Sequence, residues 1–149
     1  MKRWPVLILI FIASVFFFYF KTSDIAVDIL DVNSVSLAGV VLNTELADTD
    51  VLRARGLSGR KSLTENESML FVFDQPGKHS FWMKDMNFSI DIIWIDEDLR
   101  VVYIKENATP TSYPETFGPD ENAKYVLEVV AGFSEKNNLK VGDNAKFSN

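Results

Sequence analysis

Cysteine is absent from this 149-residue chain, and histidine occurs once, at His79. The first absence removes disulfide frameworks, thiol nucleophiles, zinc–thiolate sites and lipid-modified cysteine together, so stability must come from packing. The second removes any two-histidine metal motif on a helix. Ser58 lies in Gly56-Leu57-Ser58-Gly59, which is not the G-x-S-x-G elbow of a nucleophilic serine. Basic residues are in the minority, 15 Lys and Arg against 21 Asp and Glu, a balance that makes a poor nucleic-acid binder. No cofactor or metal is expected, and no repeat or low-complexity tract interrupts the chain.

One long uncharged run is present, from Val6 to Phe20, preceded by Lys2 and Arg3 and closed by Lys21. It reads as a targeting segment. From Trp4 to Phe20 such a run spans roughly 26 Å as a helix, short of a full hydrocarbon core but workable with interfacial Trp, Tyr and Lys anchors. Its exit, Phe16-Phe17-Phe18-Tyr19-Phe20, is bulky where a cleaved signal peptide needs small residues. Residues 1–23 are therefore expected to be an uncleaved transmembrane anchor. The positive residues before it keep the amino terminus in the cytoplasm and carry the rest to the outer face of the cytoplasmic membrane. If the segment is cut, the domain is secreted. Residues 24–35 read as a linker and 36–149 as one β-rich domain with a single core.

Within that domain, Val35 to Ala47 predicts a strand or tight hairpin turning at Gly39. Thr49 to Arg55 has a capping Thr49, an acidic first turn at Asp50, basic Arg53 and Arg55 at its end and Gly56 to stop it, which is a short helix. Met69 to Phe73 reads as a buried strand and Gln75-Pro76-Gly77 as a turn. A strand at Ser80 to Met83, expected to pair with Met69 to Phe73, puts Phe81 and Met83 opposite Trp82 and Lys84. Ile90 to Ile95 and Arg100 to Ile104 flank an acidic turn as a hairpin. Residues 106–122 read as a long loop, functional or mobile. Tyr125 to Val130 is a strand, Gly132 to Asn137 a short helix stopped at Asn138, and a last strand ends near Phe147. Many strands and two short helices predict a mainly antiparallel sandwich or barrel.

Arg53-Ala54-Arg55-Gly56-Leu57-Ser58-Gly59-Arg60, Met69-Leu70-Phe71-Val72-Phe73, His79-Ser80-Phe81-Trp82-Met83-Lys84, Ile90-Asp91-Ile92-Ile93 and Tyr125-Val126-Leu127-Glu128-Val129, followed by Ala131-Gly132 and Val141-Gly142-Asp143, occur in that order. In these blocks the chain resembles the prokaryotic family called domain of unknown function 192, over nearly all of residues 36–147. The resemblance implies a compact, jelly-roll-like β domain, commonly exported behind a signal or anchor, and no established activity. Asp85-Met86-Asn87-Phe88-Ser89 fills a stretch where the family usually carries a proline.

The candidate binding residues are Arg55, Arg60, His79, Trp82, Lys84 and Asp91. Guanidinium groups at Arg55 and Arg60, beside a glycine-bracketed loop, suit carboxylate or phosphate; equally, each can pair with an acid such as Asp91 or Glu128. His79 is a ligand or a loop cap. Trp82 and Trp94 are stacking platforms or core residues. Buried carboxylates at Asp91 or Glu128 must find a partner, an Arg or Lys bridge being the plain expectation. The residues are read as a non-enzymatic binding module for a small ligand or an envelope protein. An envelope polysaccharide hydrolase using His79 or Asp91 with Glu128, and a purely structural domain, stand as the alternatives.

Overall fold

The computed structural model describes residues 32–149. The expected anchor and most of the linker lie outside them. Among the described residues, no helix is long and apolar enough to cross a membrane.

The chain opens with β1 (Ser34–Leu37) and β2 (Val40–Ala47), an antiparallel hairpin. Its two-residue turn, Ala38-Gly39, holds both residues at positive φ, 49° and 78°, the twist that two-residue hairpins favour. Helix α1 (Asp50–Arg55) follows, with the Thr49 hydroxyl accepting from the Leu52 amide at 3.3 Å and Gly56 ending it at φ 49°. Strand β3 (Glu67–Gly77) then runs parallel to β2, because the helix-bearing 48–66 segment carries the chain back to the starting end. The rest comprises β4 (Phe81–Trp82), β5 (Ile90–Ile95), β6 (Val101–Ala108), β7 (Thr116–Phe117), β8 (Ala123–Val130), α2 (Phe133–Lys136) and β9 (Lys146–Ser148).

Seven strands form one sheet in the order β6-β5-β8-β3-β2-β1-β9, and β4 with β7 makes a separate ribbon. The large sheet curls until the start of one edge strand reaches the segment that leads into the other. Ala145 donates to Leu99 O, and Val101 to Asp143 O, each at 2.8 Å, joining the start of β6 to the segment before β9. The architecture is thus a curled half-barrel, mainly β, with two short helices. It is not a two-sheet jelly roll.

Both faces of the sheet are apolar. Leu37, Leu42, Leu70, Ile93, Val101, Leu127 and Phe147 come from all seven strands and fill one cluster, inside the curl. On the outer face Phe71, Ile90, Ile92, Trp94 and Val126 are covered by Leu57, Leu63, Met83 and Phe117 from the excursions between strands. All six residues of β5 are therefore buried, which explains its unbroken apolar run.

Four expectations need correction. Val32 and Val35 are already core residues, so the domain starts before residue 36 and the linker is shorter than drawn. Gln75-Pro76-Gly77 is not a free turn but the end of β3, where the pairing with β8 shifts register between Val72 and Gly77. Strand β4 pairs with β7, not with β3. The long 106–122 loop is consequently occupied: it supplies the end of β6, a 3-10 turn at Pro110–Ser112 and the strand that partners β4.

Asp91 pins α2 to the sheet. It is fully buried, and its carboxylate accepts from the amides of Asn107 (2.9 Å), Gly132 (3.2 Å) and Ser134 (2.8 Å). The expected arginine bridge is replaced by backbone donors, which satisfy a buried carboxylate without importing a second charge. Asp91→Ala is expected to destabilise the protein by about 3 kcal/mol in urea unfolding, since three charge-assisted bonds go at once. A loss below about 1 kcal/mol would show that these bonds do not hold the helix.

Candidate functional site

On the outer face a cleft of about 170 Å³ opens between the end of α1 and the β4 ribbon. Arg53, Arg55, Leu57 and Ser58 form one wall, Phe81, Trp82, Lys84 and Met86 the other, with Phe71, Phe73 and Glu128 contributed by the sheet. Local hydrogen bonds fix the two walls against each other. Ser58 Oγ donates to Lys84 O at 3.0 Å, the Gly59 amide to Asp85 O at 2.9 Å, and Asn87 Nδ2 to Arg60 O at 2.8 Å. Gly56 lets the helix end approach the sheet: a Cβ there would meet the Phe71 ring at 3.2 Å.

The aromatic side chains lock one another edge to face. Phe81 meets Phe71 at 4.8 Å and Trp94 at 5.8 Å between ring centroids, an arrangement favoured by the ring quadrupoles. Trp82, half exposed, stands at the rim, 5.7 Å from Tyr113 and 5.8 Å from Lys84 Nζ. Arg53 is committed to structure: its guanidinium donates to Asp48 O, Val72 O and the Asp50 carboxylate. Arg55 and Lys84 form no ion pair among the described residues, and both are exposed at the mouth.

Of the six residues singled out in the sequence, Arg55, Trp82 and Lys84 converge on this cleft. Arg60 does not line it, because its guanidinium makes a two-pronged pair with Glu45, 2.7 Å on each side. That pair lowers the Glu45 carboxyl below its usual range. His79 is a loop cap: its ring stacks on Phe73 at 3.5 Å, Nε2 lies 3.2 Å from Gln75 O, and its carbonyl accepts from Trp94 Nε1 at 2.7 Å. Burial holds the imidazole below its usual pKa. Asp91 faces the other side of the sheet. It pairs with Val129 while Ile92 pairs with Glu128, so successive side chains place the two carboxyls on opposite faces, and they cannot act together. Among the described residues no group of three or more His, Asp or Glu side chains could hold a metal.

Glu128 is the residue whose part in the site the sequence hid. Its position inside Leu127-Glu128-Val129 marked it as a buried carboxyl in need of a partner, but the described residues supply none: it is 5% exposed, and Oε2 meets no hydrogen-bonding group among them. Burial pushes its pKa from 4.5 up to about 8, opposed only weakly by the charge of Arg60. At neutral pH it is a carboxylic acid, not a carboxylate.

A single curled half-barrel bearing an aromatic cleft, cationic at the mouth and lined below by a neutral acid, is the class of domain these features define. The chain belongs to the DUF192 family, described as an uncharacterized ACR, which matches residues 33–147. It is 32% identical over 106 residues to a UPF0127 protein of Thermococcus gammatolerans, covering 68% of this chain and 63% of that protein. A UPF0127 protein of Thermococcus sibiricus is 33% identical over 106 residues, with 66% and 62% covered. The chain thus spans slightly under two thirds of the length of these relatives. A crystal structure of a protein of unknown function from Novosphingobium aromaticivorans has the same fold, with a TM-score of 0.70, 32% identity, and 76% of this chain and 83% of that one covered.

Glu128 also makes stability depend on pH. Between about 4.5 and about 8 the folded domain holds a proton that the unfolded chain releases, so stability falls as pH rises through that window. Relative to Glu128→Gln, the wild type is expected to lose about 3 kcal/mol between pH 5 and pH 8 in urea unfolding. His79 titrates in both proteins and cancels. Parallel pH profiles would show that Glu128 is ionised in the fold.

Proposed function

We propose that the domain is a non-enzymatic binding module that takes a small, one-ring ligand with an anionic group into the cleft between α1 and β4. The observation that carries this is the convergence of two uncommitted cations, Arg55 and Lys84, with the exposed Trp82 on a walled aromatic cleft. A carboxylate or phosphate at the mouth would meet both cations, and a ring would meet Trp82 and Phe81. The cleft is smaller than the roughly 300 Å³ at which drug-sized ligand pockets begin, which favours a small molecule. Neither the stacked His79 nor the divided Asp91 and Glu128 supports a hydrolase.

Titration of the full chain with benzoate and phenyl phosphate, followed by tryptophan fluorescence, is the test. Arg55→Ala, Lys84→Ala and Trp82→Ala are each expected to weaken binding about five- to tenfold, the equivalent of about 1 kcal/mol. Absence of binding by both probes, or binding indifferent to all three variants, would remove the reading.

Lys2, Arg3 and the uncharged Val6 to Phe20 run support placement of this module on the outer face of the cytoplasmic membrane, tethered by residues 1–23, where an envelope protein is the alternative partner. Full-length protein is expected to stay in the membrane pellet after alkaline carbonate washing, with its carboxy terminus open to protease in spheroplasts. Release by carbonate would contradict the tether, and protection from protease would contradict the orientation.

A further inference from the structure

The two buried carboxyl groups among the described residues have opposite fates. Asp91 is saturated by three backbone amides, whereas Glu128, on the same pair of central strands, lines the cleft with Oε2 unmet. An unmet buried polar group costs roughly 1–3 kcal/mol, and such a group calls for a partner from outside the fold. The surroundings decide which partner. Phe71 and Leu57 make the neighbourhood apolar, and Arg60, the cation among the described residues whose charge reaches Glu128, is spent on Glu45. In its uncharged form the carboxyl gains an O–H donor that the carboxylate lacks.

We infer that Glu128 donates a hydrogen bond to an uncharged carbonyl-type acceptor at the inner end of the ligand, whose anionic end rests on Arg55 and Lys84. This rests on the cleft being the ligand site. An ammonium group is the competing partner, but it would have to pass two cations and strip Glu128 of its proton. Both charges would then lose water, a cost that a buried pair recovers only with excellent geometry. A carbonyl pays none of these terms.

Three para-substituted benzoates share the anionic end and differ only at the other: 4-acetylbenzoate offers an acceptor, 4-isopropylbenzoate the same shape without one, and 4-(aminomethyl)benzoate a cation. By calorimetry on the full chain at pH 7, the acetyl compound is expected to bind at least about fivefold tighter than the isopropyl compound, with the aminomethyl compound weakest. Binding of the acetyl compound should fall about tenfold between pH 7 and pH 9 as Glu128 ionises. Arg53, Arg55, Arg60, Lys84 and Glu45 surround the cleft and its neighbourhood, and Glu128→Gln keeps all of them and an N–H donor. That variant should retain the acetyl preference without the loss at pH 9, while Glu128→Leu should erase the preference. Equal binding of the acetyl and isopropyl compounds, or tightest binding of the aminomethyl compound, would overturn the inference and leave the cleft standing as a binding site. Failure of all three to bind would overturn both.

Discussion

Burial of the central strands on both faces is the constraint from which the rest follows. Strands β5 and β8 lie inside the curled sheet with apolar clusters above and below, so a polar side chain on either strand is largely withdrawn from bulk water. Such a position tolerates a carboxyl only if it is hydrogen-bonded or neutral. Asp91 and Glu128 take one solution each. On the inner face Asp91 collects amide donors from the end of β6 and the start of α2, and so organises the helix. On the outer face Glu128 has no such donors and keeps its proton.

The outer face differs from the inner because different material covers it. Inside, the strands cover one another with help from Phe133 and Leu139; outside, the cover is assembled from α1, the 56–60 loop, the turn after β4 and the β4–β7 ribbon. Hydrogen bonds from Ser58, Gly59 and Asn87 stitch loop to turn, leaving a walled cleft where the cover is incomplete. The gap is bordered by edge-to-face aromatics and by Arg55 and Lys84, which form no ion pair among the described residues. A cationic mouth thus stands over a neutral acid in a protein with net charge −6.

Local signals in the sequence were legible. The cap, charges and terminal glycine of Thr49 to Gly56 specify α1, and the stop at Asn138, with φ 53°, ends α2 as expected. The alternation through Ser80 to Lys84 correctly separates half-buried Phe81 and buried Met83 from exposed Trp82 and Lys84. Partner choice was not legible, because it is decided by distant segments. Nothing in Phe81-Trp82 announces that Thr116-Phe117 will pair with it, and nothing in the strand pattern of β2 and β3 announces that they run parallel. The same limit applied to the site. Arg60 and His79 carry chemistry suited to binding, yet Glu45 and Phe73 engage them. Glu128 was visible as a carboxyl in an apolar strand, but whether it met a cation, an amide or nothing depended on which face its register assigned.

The central claim is that Glu128 is an uncharged acid within a ligand-sized cleft. Its most direct measurement is the carboxyl-carbon NMR titration of Glu128 in the full chain, assigned by comparison with Glu128→Gln. The account predicts a midpoint near 8, well separated from the exposed glutamates. A midpoint near 4.5 would contradict it and would mean that the buried carboxylate has found a compensating charge.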